Sequence, residues 1–150
     1  MRILLILVAT TLFCSGAFAD TNGVVSVPSA HPVAATADRL ETALEAKGMK
    51  LFLRLDHAAG AASVGRELGP TTLVIFGNPK VGAPLMQCAR QVGLDLPQKA
   101  LIWEDEAGTT WFSYNSPEYL RTRHDIQGCD QVLAKVSKAL AAFAQAATRE

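Results

Sequence analysis

The stretch Thr71 to Met86 reads TTLVIFGNPKVGAPLM, an apolar strand running into Gly77-Asn78-Pro79-Lys80-Val81-Gly82, with a helix expected to open at Ala83-Pro84. A glycine-bearing turn at a helix start gathers backbone N–H groups and partial positive charge at one point, where an anion can sit. The six residues from Gly77 to Gly82 also satisfy the opening of a phosphate-binding loop. That loop must continue with Lys and then Ser or Thr, which hold the phosphates and the magnesium. Here those places are taken by Ala83 and Pro84, and the one lysine, Lys80, comes too early. Nucleotide hydrolysis thus loses its two chemical residues. What survives as a candidate anion site is Gly77, Asn78, Lys80 and Gly82; the plainer reading is a strand-to-helix turn using Gly and Pro for its dihedrals.

The other residues able to do chemistry are scattered. His31, His57 and His124 show no metal-ligand spacing, so no metal site is read from them. Asp56-His57 and His124-Asp125 are adjacent pairs, but neighbours on a strand point to opposite faces. An acid–base or metal role therefore requires His57 and His124 to converge in space. The enzyme alternative is His57 or His124 as general base, with Lys80 or Arg123 stabilising negative charge. The metal alternative adds a carboxylate to the two histidines. Glu104-Asp105 reads as the opening of a solvated hairpin rather than a catalytic carboxylate pair. Tyr114-Asn115-Ser116-Pro117 followed by Arg121, Arg123 and His124 is a polar strand end, a candidate wall for an anion or carboxylate. Its plainer reading is a turn in which Asn115 caps the next helical segment. No Gly-x-Ser-x-Gly elbow is present. The catalytic residues, if there are any, are unknown at this level, and no cofactor is expected.

The elements that must position these residues follow from periodicity. Val24 to Val27 forms a first strand. Val33, Ala37, Leu40 and Leu44 recur at helical spacing, with Pro32 at the start and Gly48 at the end. Leu51 to Leu55 is a second strand, followed by a small-residue run, Ala58 to Val64, that could be a short helix. Thr71 to Phe76 is a continuous apolar run and should lie centrally in the sheet. A helix from Pro84 to Val92, strands Leu101–Trp103 and Thr110–Tyr114 around a hairpin turn, and a turn of helix from Pro117 follow. The last helix runs from Asp130, expected as its N-cap, to about Thr148. The sum is a single α+β domain, residues 20–150: a β-α-β(4)-α two-layer sandwich, mostly antiparallel, with two long helices on one face and a short inserted helix.

Residues 1–19 are set apart. Arg2, the apolar run Ile3 to Phe13 and Ala17-Phe18-Ala19 are the parts of a secretory signal peptide cleaved after Ala19. The location implied is periplasmic or secreted, with no membrane association after cleavage. The full chain carries 14 basic and 14 acidic residues; loss of Arg2 leaves 13 against 14, a formal charge of −1. That balance offers no electrostatic footprint for nucleic acid. Cys88 and Cys129 remain in an oxidising setting, so a disulfide between them is a candidate feature; Cys88 is expected on the core side of its helix. Neither lies in Cys-x-x-Cys.

Asp56-His57-Ala58, LVIFGNPKVGAPLMQ from Leu73, KALIWED from Lys99 and YNSPEYLRTRH from Tyr114 together resemble the bacterial family called domain of unknown function 302, from about Val24 to Phe143. The resemblance implies a β-α-β(4)-α fold similar to the TATA-binding-protein group, a homodimer, and no established activity. The family's characteristic polar residues match here as His57, Asn78, Lys80, Lys99, Glu104, Asp105, Tyr114, Asn115, Arg123 and His124. Ala83 departs from it, a threonine being usual there, and the two cysteines are not part of the pattern. The expectation is an exported, non-enzymatic module binding a small ligand, an anion among the candidates, through His57, Gly77, Asn78, Lys80, Gly82, Tyr114, Asn115, Arg123 and His124, or acting by dimeric interaction.

Overall fold

The computed structural model of the chain describes residues 18–19 and 22–150. Apart from Phe18 and Ala19, the signal-peptide reading falls outside the described residues. The elements are β1 (Phe18–Ala19), β2 (Val24–Pro28), α1 (Val33–Ala46), β3 (Lys50–Asp56), α2 (His57–Ala62), β4 (Thr71–Gly77) and α3 (Pro79–Cys88). They continue as a short 3-10 turn (Arg90–Leu94), β5 (Gln98–Glu104), β6 (Thr110–Asn115), α4 (Pro117–Arg123) and α5 (Asp130–Thr148). All strand pairs are antiparallel, in the order β1-β2-β6-β5-β4-β3. Leaving aside the two-residue β1, this is the expected β-α-β(4)-α sandwich, with α1 and α5 packed together on one face.

Strand alternation decides which residues meet those helices. Val74 and Phe76 of β4, Ala100 and Ile102 of β5, and Phe112 and Tyr114 of β6 are buried with Leu40 and Leu44 of α1 and Leu140 and Phe143 of α5. Phe76 meets Phe143 edge-on at 5.8 Å. Each such side chain contributes roughly 1.5–3 kcal/mol of burial. β4 lies inside the sheet between β3 and β5, but it is not the doubly buried strand its apolar run suggests. Thr71, Leu73 and Ile75 alternate with the core residues and face away from the helices, half-buried. That opposite face continues through Leu101 and Trp103 of β5 and Trp111 of β6. At the sheet edge every residue of β3 is exposed, Leu53 by 47% and Leu55 by 40%.

Several boundaries differ from expectation for local reasons. α3 begins at Pro79, not at Pro84, because Asn78 caps it: the Asn78 side chain accepts from the Lys80 N–H at 2.9 Å. Pro84 lies inside that helix. Ser116, not Asn115, caps α4 by accepting from the Tyr119 N–H. Cys129, in the left-handed region at φ 38°, precedes α5, so Asp130 is its first residue rather than its cap and pairs with Arg121 instead. Gly23 stands at φ +83° against the Tyr119 ring, and its carbonyl accepts from the Ser116 N–H.

Candidate functional site

Gly77 to Gly82 closes the end of β4 and makes the first turns of α3. The two glycines do not serve a left-handed turn, and the freed backbone cradle expected there is absent. The N–H groups of Val81 and Gly82 are taken by the Asn78 carbonyl, and that of Lys80 by the Asn78 side chain. A helix start already satisfied by its own cap has little left for an anion. What the segment does instead is form a wall. Gly77, Asn78, Pro79, Val81 and Gly82 line a cavity of about 460 Å³ between α3, α5 and the near end of the sheet. The far wall is Val136, Ala139, Leu140 and Phe143 of α5; Leu96 and Pro97 close one side and Met49 and Phe52 another. Gly77 stands where Pro97 and Phe52 meet: a Cβ there would make ordinary van der Waals contact with them, at 3.4 and 3.5 Å.

This cavity is almost wholly apolar. Its polar side chains are Asn78, Gln98 and Lys135. The Gln98 Nε2 is buried without a hydrogen-bond partner. Lys80, the cation expected to serve this segment, is exposed and does not line it. Lys135 of α5, a residue the sequence reading did not single out, does. The mouth is marked by exposed lining residues: Phe52 (45%), Met86 (39%) and Lys135. The nearest sequence signal for this site was the glycine segment itself; the α5 residues looked like an ordinary core stripe.

Cys88 and Cys129 are joined as a disulfide, with Cα atoms 6.5 Å apart. The bond ties the end of α3 to the start of α5, the two helices that form the cavity walls. Cys88 is exposed rather than core-facing.

The second polar group assembles around Asp95, a residue the sequence reading also passed over. The His124 Nε2–H donates to the Asp95 carboxylate. Arg123 lies 3.4 Å from the same carboxylate and donates to the Tyr119 hydroxyl at 2.7 Å. Those two partners, Tyr119 first, push the Arg123 pKa up. Lys99 Nζ donates to the carbonyls of Asp95 and Pro97, at 3.0 and 2.9 Å. The supposed anion wall is therefore already occupied by the chain's own Asp95, and Arg123, His124 and Lys99 together pin the 95–98 connection that closes the cavity. Tyr114 is not a wall residue. It is buried beside Phe112, and burial raises its pKa. Asn115 ends β6 opposite Val24.

His57 is not brought to these residues. It opens α2 just beyond Asp56, which pairs with Thr72 at one end of β4, whereas Gly77 and Asn78 stand at the other. Five to six residues of strand at about 3.3 Å each separate the two ends by roughly 17–20 Å. Asp95 and His124 belong to the Gly77 end, since β5 starts opposite Phe76. The convergence that the acid–base and metal alternatives require is not formed, and among the described residues no group of three His, Cys, Asp or Glu could hold a metal. Asp56 is the α2 cap, accepting from the Ala59 N–H. Asp105 pins its hairpin, accepting from Trp111 Nε1 at 2.7 Å and from the Thr109 and Ala107 N–H groups, bonds that lower its pKa. Glu104 ends β5 opposite Thr110. His31 is half-buried and bonds the Arg149 carbonyl at the end of α5.

The chain belongs to the family described as Domain of unknown function DUF302, whose model matches residues 25–143. Its fold is shared by an uncharacterized conserved DUF302 protein from Bacillus stearothermophilus, at a TM-score of 0.76 and 21% identity, covering 83% of this chain and 98% of that one. Curated relatives include a fluoride-specific ion channel of Brucella suis and one of Brucella abortus, each 48% identical over 105 residues. Those 105 residues are 70% of this chain but only 41% and 39% of the two channels.

Proposed function

We propose that this chain is an exported binding module that holds a small, largely apolar ligand in the cavity between α3 and α5. The observation that carries this is the cavity itself: about 460 Å³, apolar, and walled by the Gly77–Gly82 segment. Its size falls within the usual range of small-molecule sites, roughly 300–1,000 Å³. The cavity moves the reading from an anion at Lys80 to an apolar body beside Gly77 and Val81. Export is supported by the leader pattern in residues 1–19 and by a disulfide between Cys88 and Cys129, which suits an oxidising compartment. Cleavage after Ala19 would remove β1 and leave β2 as the sheet edge.

The test is fluorescence titration with N-phenyl-1-naphthylamine, a neutral aromatic probe, followed by competition with apolar metabolites. The native protein should enhance its emission saturably. Ala139→Trp, which fills the cavity from α5, should weaken binding at least tenfold, and Gly82→Leu, which fills it from α3, should do the same with circular dichroism unchanged. Absence of saturable binding, or binding indifferent to both substitutions, refutes the reading.

A second reading, dimeric interaction, is favoured by the open sheet face. Leu53, Leu55, Leu73, Ile75, Leu101, Trp103 and Trp111 lie on the face opposite α1 and α5. A second copy can cover it as one sheet packs on another, about 10 Å apart. From the fluoride channels we carry over only the domain. The chain spans about two-fifths of their length, and among the described residues no helix is long and apolar enough to cross a membrane.

A further inference from the structure

The polar groups of the cavity point to the chemistry of its occupant. Twenty residues line it, and one of them, Lys135, is charged; none is acidic. Lys135 is exposed on α5, one residue before buried Val136, so its flexible stem can lie along the apolar wall with the ammonium at the mouth. Among the described residues it has no ion-pair partner, whereas Arg54, Arg121 and Arg123 each have one. The Asn78 amide of the lining adds to the same sense. Asn78 spends its oxygen on the α3 cap, which leaves its NH₂ as the group on offer. The wall thus offers the Asn78 amide and the Lys135 ammonium over an apolar interior, with no acidic acceptor of its own.

We infer that the ligand is an anionic amphiphile: an apolar body within the cavity and a single carboxylate- or sulfonate-class head group held at Lys135. This rests on the binding reading above, and the two are separable by experiment. A neutral apolar ligand needs only the cavity. An anionic one also needs Lys135.

The probes are N-phenyl-1-naphthylamine and 1-anilinonaphthalene-8-sulfonate, similar aromatic bodies without and with an anionic head. Only the part of the binding that Ala139→Trp removes is counted, which sets aside dye on the open sheet face. Lys135→Gln should weaken the sulfonate probe about fivefold, the size of one partly solvated ion pair, and leave the neutral probe within twofold. Added salt should weaken the sulfonate probe alone. Lys138→Gln, one turn further along α5 and outside the lining, should change neither. Equal binding of the sulfonate probe by native protein and Lys135→Gln overturns the anionic head while sparing the cavity. Tighter cavity binding of a cationic analogue overturns it as well. If neither probe responds to Ala139→Trp, it is the binding reading that fails.

Discussion

Gly23 and Asp95 show how single residues set this structure without drawing notice in the sequence. At Gly23 a φ of +83° and the Tyr119 ring leave no room for a side chain. An added Cβ would lie 2.4 Å from the Tyr119 Cβ. Gly23→Ala should therefore cost about 2–3 kcal/mol, combining the left-handed penalty with displacement of Tyr119. Urea denaturation reads this directly; a variant as stable as the native protein would show that the β2 entry is not fixed by Tyr119. Asp95 has no motif around it. It acquires meaning only because folding brings it to His124 and Arg123, 29 and 28 positions further along the chain. His124 and Arg123 stand out in the sequence as part of a polar strand end. Their partner does not, because chain separation carries no information about contact.

At the scale of elements, helix and strand identities were largely readable from periodicity, and their ends from capping chemistry only in part. α1 runs where Val33, Ala37, Leu40 and Leu44 place it. α3 starts five residues before the expected Pro84, because Asn78-Pro79 is a cap followed by proline at the first helical position. Glycine there signals a loop, and the Asn78 cap outweighs it. The disulfide belongs to this scale also, since it fixes α3 to α5 rather than serving a single residue. It closes a loop of 41 residues. By chain entropy that is worth about 4 kcal/mol, with about 2–4 the range usually measured. Reduction, or Cys88→Ser with Cys129→Ser, should lower unfolding stability by about that amount, and thiol titration of the unreduced, denatured protein should find neither cysteine reactive. Two free thiols would remove the clamp from the account of the cavity.

For the whole molecule, the central question is what covers the second face of the sheet. A two-layer sandwich buries one sheet face under its helices and leaves the other to water or to a partner. Here that other face carries Leu73, Ile75, Leu101, Trp103 and Trp111, and Lys99 on it is tied to backbone carbonyls. If a second copy covers it, sedimentation equilibrium should give twice the monomer mass at micromolar concentration. Leu73→Lys together with Leu101→Lys, placing charge in the middle of that face, should give the monomer with its circular dichroism unchanged. A native protein that stays monomeric at 100 μM, against an apolar face of this extent, would leave the dimeric reading without support.

The amino-acid sequence by itself determined the family and the β-α-β(4)-α order. Those depend on local periodicity and on long ordered motifs, both written along the chain. Tertiary structure alone decided which polar residues meet. It parted His57 from His124 by the length of β4, gave Asp95 to His124 and Arg123 beside α4, and turned the glycine segment from a cradle for an anion into the wall of an apolar cavity. The physical reason is that a cavity, an ion pair or a shared pocket is made by residues distant in sequence. Burial of the common core between α1, α5 and the sheet fixes those distances, and no local pattern encodes them.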